Sequence, residues 1–491
     1  MEKTLLEKIG VAVRGIALAL GAAFLLGYLA IAALRMTYPF QLEWMEGGML
    51  DHVRMAASGQ KIFAEPSLEF VSFLYPPLYY YVAAVSTAIF GMELHALRAV
   101  SFASSLGCLA LIFAFVRREG GGNFSAALAA CLYAATFDRS GGWLDIARVD
   151  SLFMVLLLGG LYGVAFARAR SGLVLAGILL GCAALTKQSA VVICLPLGLY
   201  ALIWDRRRGI WWAGAALIFS IASWGLLDVL HDGWFRYYCF TIPRLHPFVS
   251  GQLAGFWTHD MLPLTLAVVA SVFFVAAPRL KPEFSRRLFY AALAVGMLGS
   301  SWSVTSAVGA WHNNLLPAFA AVSILAGLGL RDVLERVEHR KAWVLTTWLL
   351  VVAQFAMLAY DPRDHLPTAA DRVAGESLLQ RLRAIDGEVF IPHHGYLARR
   401  AGKRPQAHTL GMDNIFLDDP GPVRIGLQEE MLRALGDGRY AVAILESDGR
   451  YLPGIQRAFE PAGRVFADSD VFWPVTGARL RPEYVYRSIS K

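Results

Sequence analysis

The run GIALALGAAFLLGYLAIAAL, Gly15 to Leu34, carries no charged side chain. About 20 apolar residues are what a helix needs to cross the ~30 Å hydrocarbon core of a bilayer, whereas a surface helix of a soluble domain keeps a polar face. Lys3 and Lys8 precede the run and Arg35 closes it. A secretory leader has a shorter apolar core and small residues at its cleavage site, so this stretch is predicted to stay as a first membrane span.

Comparable runs recur along the chain, and spans are predicted near 11–34, 97–116, 124–137, 151–167, 172–186, 189–204, 210–229, 262–277, 288–305, 314–330 and 342–360. The 491 residues are 56% hydrophobic and only 17% charged, against roughly one-quarter charged in soluble domains. With a cytoplasmic N-terminus, the basic clusters Arg117–Arg118, Arg168–Arg170, Arg206–Arg208, Arg279–Arg287 and Arg331–Lys341 all fall on the inner side, as the positive-inside rule requires. The other loops face outward: 35–96, 138–150, a tight turn at Lys187–Gln188, 231–260 and 306–313. Outside the C-terminal part, they hold most of the carboxylates and histidines. The expected setting is therefore the cell inner (plasma) membrane, with the reactive side chains on its outer face.

The net charge of +7 sits in short clusters between apolar runs rather than along one stripe, which makes it a topology signal and excludes a nucleic-acid partner. The five cysteines show no paired spacing, so neither a disulfide framework nor a zinc knuckle is expected. From Asp361 onward, charged residues, Gly and Pro mix with short apolar runs at Gly387–Ile391 and Tyr440–Leu445, and helical patterns fall at Glu376–Ile385 and Leu427–Leu435. The alternation predicts a small α/β domain. The fold class is thus a polytopic α-helical membrane protein of about eleven spans, residues 1–360, followed by an extracytoplasmic (periplasmic) soluble α/β domain, residues 361–491.

The first outer loop is the richest in chemistry. Glu43 and Glu46 lie three apart, so a helix across them would put both on one face, and a carboxylate at the membrane surface can act as a general base. The alternative is an ordinary pair of solvated loop charges. Tyr75-Pro76-Pro77-Leu78 ends any preceding helix and opens another, because proline is tolerated only in a first turn. That helix, running to Gly91, would place Arg117–Arg118 outside if it spanned the bilayer. It is therefore predicted to lie in the interface as a juxtamembrane element.

Taken in order, these motifs resemble those of the GT-C superfamily of membrane glycosyltransferases, in the branch of the protein O-mannosyltransferases and lipid A aminoarabinose transferases. The matching elements are the acidic Glu43–Glu46 motif with Gly59 to Phe63 after it, Tyr75 to Leu78, Arg98 opening the next span, Ala147 to Asp150, Leu185 to Gln188, and Trp311 to Pro317. They cover about the first 330 residues. The family often carries an Asp-Glu pair in the first outer loop, and Met45-Glu46 stands at that place here, so either Glu46 or Glu43 is the expected base.

What the resemblance implies is inverting transfer of a sugar from a polyprenyl-phosphate-linked donor to a glycan, lipid or protein acceptor on the outer face. Ligand clusters such as HExxH are absent, so no cofactor is expected and metal-independent transfer is the default. In that scheme Arg148, Lys187 and His312 are the candidate contacts to the donor phosphate, and Asp150, Tyr75 and Asn313 support them. Each has a plainer reading. Lys187 could snorkel to lipid headgroups, Arg148 and Asp150 could form a local capping pair, and His312 could be an interfacial hydrogen-bonding group. The aromatic and basic residues of 231–260 suit sugar stacking or an interfacial belt equally. His393-His394 is expected to be a surface pair at a strand end. A transporter or flippase of lipid-linked sugar would use the same cations without chemistry, but no repeated halves are visible.

Overall fold

The computed structural model describes residues 5–247, 249, 251–277, 281–306, 309–447 and 454–489. Every predicted span has a helix. They are α1 (Leu5–Met36), then, after α2 (Glu46–Ala57) and α3 (Leu78–Phe90) of the first loop, α4 (Leu94–Arg118), α5 (Asn123–Ala135), α6 (Asp150–Phe166), α7 (Arg170–Ala184), α8 (Ser189–Trp204), α9 (Arg206–Leu230), α10 (Thr265–Ala276), α11 (Lys281–Thr305), α12 (Leu316–Val337) and α13 (Lys341–Ala356). By length and composition, α1, α4, α9 and the segments ending in α10, α11 and α12 can cross a membrane. The shorter ones are held between longer neighbours: α5 buries ten of its thirteen residues.

The distribution of apolar surface is that of a bundle solvated by lipid. Ile210, Ile218, Ile221 and Val229 of α9 are more than half exposed, whereas α12 is buried along almost its whole length. Lipid tails are as apolar as leucine, so the helices associate through close packing at small residues. A Cβ on Gly177 would stand 2.2 Å from the Trp212 carbonyl of α9, and one on Gly329 2.0 Å from the Ala270 carbonyl of α10.

Ion pairs tie one end of the bundle together. Arg286 donates to Glu119 (2.6 Å) and to the Ala165 carbonyl (2.7 Å), Arg331 donates to the Glu119 carbonyl (2.5 Å), Arg208 donates to the Val164 carbonyl (2.7 Å), and Lys341 pairs with Glu7 (3.0 Å). The starts of α1, α9, α11 and α13 and the ends of α4, α6 and α12 therefore lie together. The described residues of the five basic clusters sit at this end, as the charge segregation predicts.

Beyond α13 come α14 (Ala369–Ala384), a short helix at Gly395–Arg400, α15 (Thr409–Asp418) and α16 (Pro422–Gly436), with strands β1 (Glu388–Phe390), β2 (Tyr440–Leu445), β3 (Phe459–Arg464) and β4 (Tyr484–Ser488). The sheet order is β1-β2-β4-β3, with β1 and β2 parallel and the other pairs antiparallel. The apolar runs mark β1 and β2 in the sequence. β3 escapes such a reading because it is an edge strand, FEPAGR, with one buried residue, a proline and a bulge.

Two hydrophobic cores result. One belongs to the membrane bundle. The other joins first-loop residues such as Phe40, Met49 and Phe73 to Tyr396, Leu397 and Phe472 of the C-terminal segment. The loop between α1 and α4 is thus part of a core that the chain completes only some 300 residues later.

Candidate active site

The loop leaving α1 does not continue as helix. Residues 41–45 turn, and α2 starts at Glu46, so Glu43 and Glu46 face different partners. Glu46 is fully buried and saturated. Its Oε1 accepts from Arg98 Nε (2.9 Å) and the Ala147 amide (2.7 Å), and its Oε2 from Arg98 Nη2 (2.6 Å) and the Leu42 amide (2.7 Å). Arg98, also fully buried, spends its remaining donors on the Tyr38 and Phe40 carbonyls, both at 2.6 Å. Burial favours the protonated acid, but Arg98 and the two amides outweigh it and hold the Glu46 carboxyl below the ordinary range.

Glu43 is as deeply buried but only half satisfied. Its Oε2 accepts from Arg148 Nη1 (2.8 Å) and the Met45 amide (3.1 Å), while its Oε1 has no hydrogen-bond partner. Burial is the larger influence and Arg148 the opposing one, so the carboxyl is pushed up to about 7. Arg148 in turn donates through Nη2 to Tyr75 Oη (2.8 Å), lies over the rings of Tyr75 (5.6 Å) and Trp143 (5.4 Å), and leaves its buried Nε without a partner. A buried acid and base with one free atom each is an arrangement that folding alone does not favour.

Two residues on, Asp150 opens α6. Its Oδ1 accepts from Lys187 Nζ (2.8 Å) and Asn313 Nδ2 (2.9 Å), and its buried Oδ2 is free. Lys187 also donates to Asn314 Oδ1 (2.9 Å). Arg148 and Asp150 therefore do not cap one another: each reaches a residue remote in sequence. Lys187 sits between the Leu185 turn and α8 with its side chain 10% exposed, so it is held inward rather than snorkelling. Glu43, Arg148 and Tyr75 form one cluster. Asp150, Lys187 and Asn313 form a second beside it.

His312 is placed differently. It is exposed and lines a cleft of about 280 Å³ with Gln252, His259, Asp260 and Trp311. Among the described residues no hydrogen bond joins it to either cluster, although its neighbour Asn313 is part of one.

In the sequence Asn314 has a place in the Trp311 to Pro317 motif but no assigned role, and the Arg35–Asp145 pair is unmarked; Arg35 is fully buried and also donates to the Gly142 carbonyl (2.6 Å). A signal was available. Arg35, Arg98, Arg148 and Lys187 stand beside or within apolar runs and outside the five basic clusters, and the structure pairs each with a buried acid.

His393-His394 is a correction. The pair is buried, His393 pairing with Glu446 and His394 donating to Gln41 Oε1 (2.7 Å), because the C-terminal segment closes on the first loop there. Among the described residues no group of three or more His, Cys, Asp or Glu is disposed to hold a metal ion.

Residues 75–227 match the family described as Dolichyl-phosphate-mannose-protein mannosyltransferase. The chain superposes on ArnT from Cupriavidus metallidurans bound to undecaprenyl phosphate, with a TM-score of 0.61, 14% identity, and 96% of this chain and 98% of that one covered. The apo form of ArnT gives 0.60, with 97% and 98% covered. An uncharacterized protein of Aquifex aeolicus (strain VF5) is 24% identical over 303 residues, 60% of this chain and 68% of that protein. The fold is the ArnT-like fold that the motif order implied.

Proposed function

We propose that this chain is a GT-C glycosyltransferase that transfers a sugar from a polyprenyl-phosphate donor to an acceptor hydroxyl, with inversion and with Glu43 as the base. The observation that carries the reading is the half-satisfied Glu43 carboxylate. One oxygen is fixed by Arg148, the other is buried and unpaired, and its ionisation lies near neutrality. An acceptor hydroxyl donating to Oε1 completes that oxygen, and a carboxylate of this basicity can take its proton as the bond to the anomeric carbon forms. The bond from the anomeric carbon to the phosphate oxygen breaks in the same step, and the polyprenyl phosphate leaves as an anion.

Lys187, oriented by Asp150 and Asn313, and the free Nε of Arg148 are the cations placed to stabilise that leaving charge. The scheme runs without a divalent metal, and Glu46 has a positioning role only. The relatedness to a mannosyltransferase family over residues 75–227 and to a fold that binds undecaprenyl phosphate in ArnT supports the donor class.

The same reading sets the topology. The five basic clusters belong in the cytoplasm with the N-terminus, so the site opens at the outer face. Residues 1–360 form the membrane catalytic module and 361–491 the extracytoplasmic unit.

The test is transfer from a radiolabelled polyprenyl-phosphate sugar by purified protein in nanodiscs. Glu43→Gln should abolish transfer while leaving insertion and folding intact. Full activity in that variant, or transbilayer movement of a donor that is never cleaved, would overturn the proposal.

A further inference from the structure

The C-terminal segment does more than share a core with the first loop. It grips the loop along its length. Arg400 donates to the Pro39 carbonyl (2.7 Å), Tyr396 Oη accepts from the Gln41 amide (3.3 Å), His408 Nε2 donates to the Trp44 carbonyl (3.1 Å), and Arg399 donates to Asp51 Oδ1 (3.0 Å). From the opposite side, the connection between β3 and β4 comes down onto Glu43. The Thr476 amide donates to the Leu42 carbonyl (2.9 Å), and Thr476 pairs with Glu43 as a single parallel bridge.

The next residue is Gly477, at φ 75. A Cβ there would lie 2.9 Å from Glu43 Cγ, 3.2 Å from its unpaired Oε1 and 3.3 Å from the Trp143 ring. A connection of this length is usually functional or loosely held. This one is pinned: Phe472 packs on Phe40 (5.2 Å), the Phe472 amide donates to Asp371 (2.6 Å), and Trp473 lies under Arg481 (4.3 Å).

We infer that Gly477 is a positioning residue for Glu43, and that the C-terminal unit supplies one wall of the catalytic site rather than a separate acceptor-binding appendage. The inference rests on Glu43 being the base. Two needs meet at one glycine: a left-handed backbone that turns the connection, and a bare Cα that leaves the carboxylate room beside Oε1. The charged and titratable groups facing Glu43 on the membrane side are Arg148, Glu46 and, through Arg148, Tyr75. On the C-terminal side the wall is Thr476 and the Gly477 backbone, so crowding here acts on Glu43 by sterics and desolvation rather than by a new charge.

Gly402 provides the control. Its φ is 81, yet nothing lies within 4 Å of a Cβ built on it. Gly402→Ala therefore carries the backbone strain alone.

The experiment measures the pH dependence of kcat and the donor KM in full-length protein for wild type, Gly477→Ala and Gly402→Ala, with Glu43→Gln alongside. Gly477→Ala should lower kcat ~10–100-fold, as expected of a displaced catalytic group, leave KM within about threefold, and move the ionisation limb near pH 7 upward. Gly402→Ala should leave the limb in place.

If Glu43→Gln keeps full activity, the reading of the base falls. If Glu43→Gln is inactive but Gly477→Ala keeps both kcat and limb, only this inference falls. Should Gly477→Ala not fold, the double variant with Glu43→Ala decides, because it removes the Cγ that the new methyl strikes. Recovered folding supports the contact, and continued failure overturns it.

Discussion

Two carboxylate–arginine pairs have their glutamates three residues apart on the loop after α1, both in the interior and both at hydrogen-bond distance, and they are built for opposite ends. In the Glu46–Arg98 pair every oxygen and the guanidinium are engaged, and the arginine gathers the Tyr38 and Phe40 carbonyls as well. In the Glu43–Arg148 pair the acid keeps one free oxygen and the base one free nitrogen. A buried ion pair that is completely hydrogen-bonded fixes geometry, whereas one left incomplete holds capacity for something that arrives later. On the function proposed above, this difference assigns Glu46 to the fold and Glu43 to the chemistry.

The comparison breaks most visibly at Arg98. Arg98→Leu leaves Glu46 charged, buried and unpaired, and should destabilise the protein by ~3–5 kcal/mol, read as loss of the cooperative unfolding transition in detergent. If that variant unfolds like wild type, the Glu46 pair is not structural.

Next in size is Glu43→Gln, with transfer falling ~10²–10⁴-fold and no comparable loss of stability. The sign follows from the carboxyl being raised from 4.5 to about 7. The stabilisation from the protonated form is fully present below the unfolded-state value and is lost as pH rises through about 7. The amide stays neutral throughout, so the variant should melt at or above the wild-type temperature at pH 8 and converge with it below pH 5. In the wild type, the rate should rise through pH 7 and then level off as the base form fills.

Lys187→Ala sharpens the comparison by testing the second cluster. Loss of a charged hydrogen-bond donor should raise the donor KM or inhibition by polyprenyl phosphate ~10–100-fold with a smaller effect on folding. His312→Ala should change transfer less than about threefold, since that side chain is exposed and bonded to neither cluster. A loss as large as that of Lys187→Ala would place the His312 cleft in the donor site.

Much of the membrane part is legible in the chain itself, because a helix in lipid must be apolar around most of its surface, and composition alone records that. The eleven apolar helices follow from runs such as Gly15 to Leu34, and the gathering of basic residues at one end of the bundle from the clusters at Arg117–Arg118 and Arg206–Arg208. Site residues are partly legible for a related reason: Arg148, Asp150 and Lys187 are polar where lipid or its boundary discourages polarity. β3 was not legible, since an exposed edge strand has no apolar period to show. Nor was the burial of His393 and His394, which a dipeptide cannot signal without the surface that covers it.

Which glutamate is free, which cation meets which acid, and why Gly477 lacks a side chain were decided only by the tertiary structure. Glu43 and Glu46 have the same chemistry and stand only three residues apart. They part company because Arg98, Arg148 and the β3–β4 connection arrive from 52, 105 and several hundred residues away. The sequence by itself determined the solvent of each segment, through the cost of putting charge in lipid. Partners are a matter of distance in space, and nothing local encodes that.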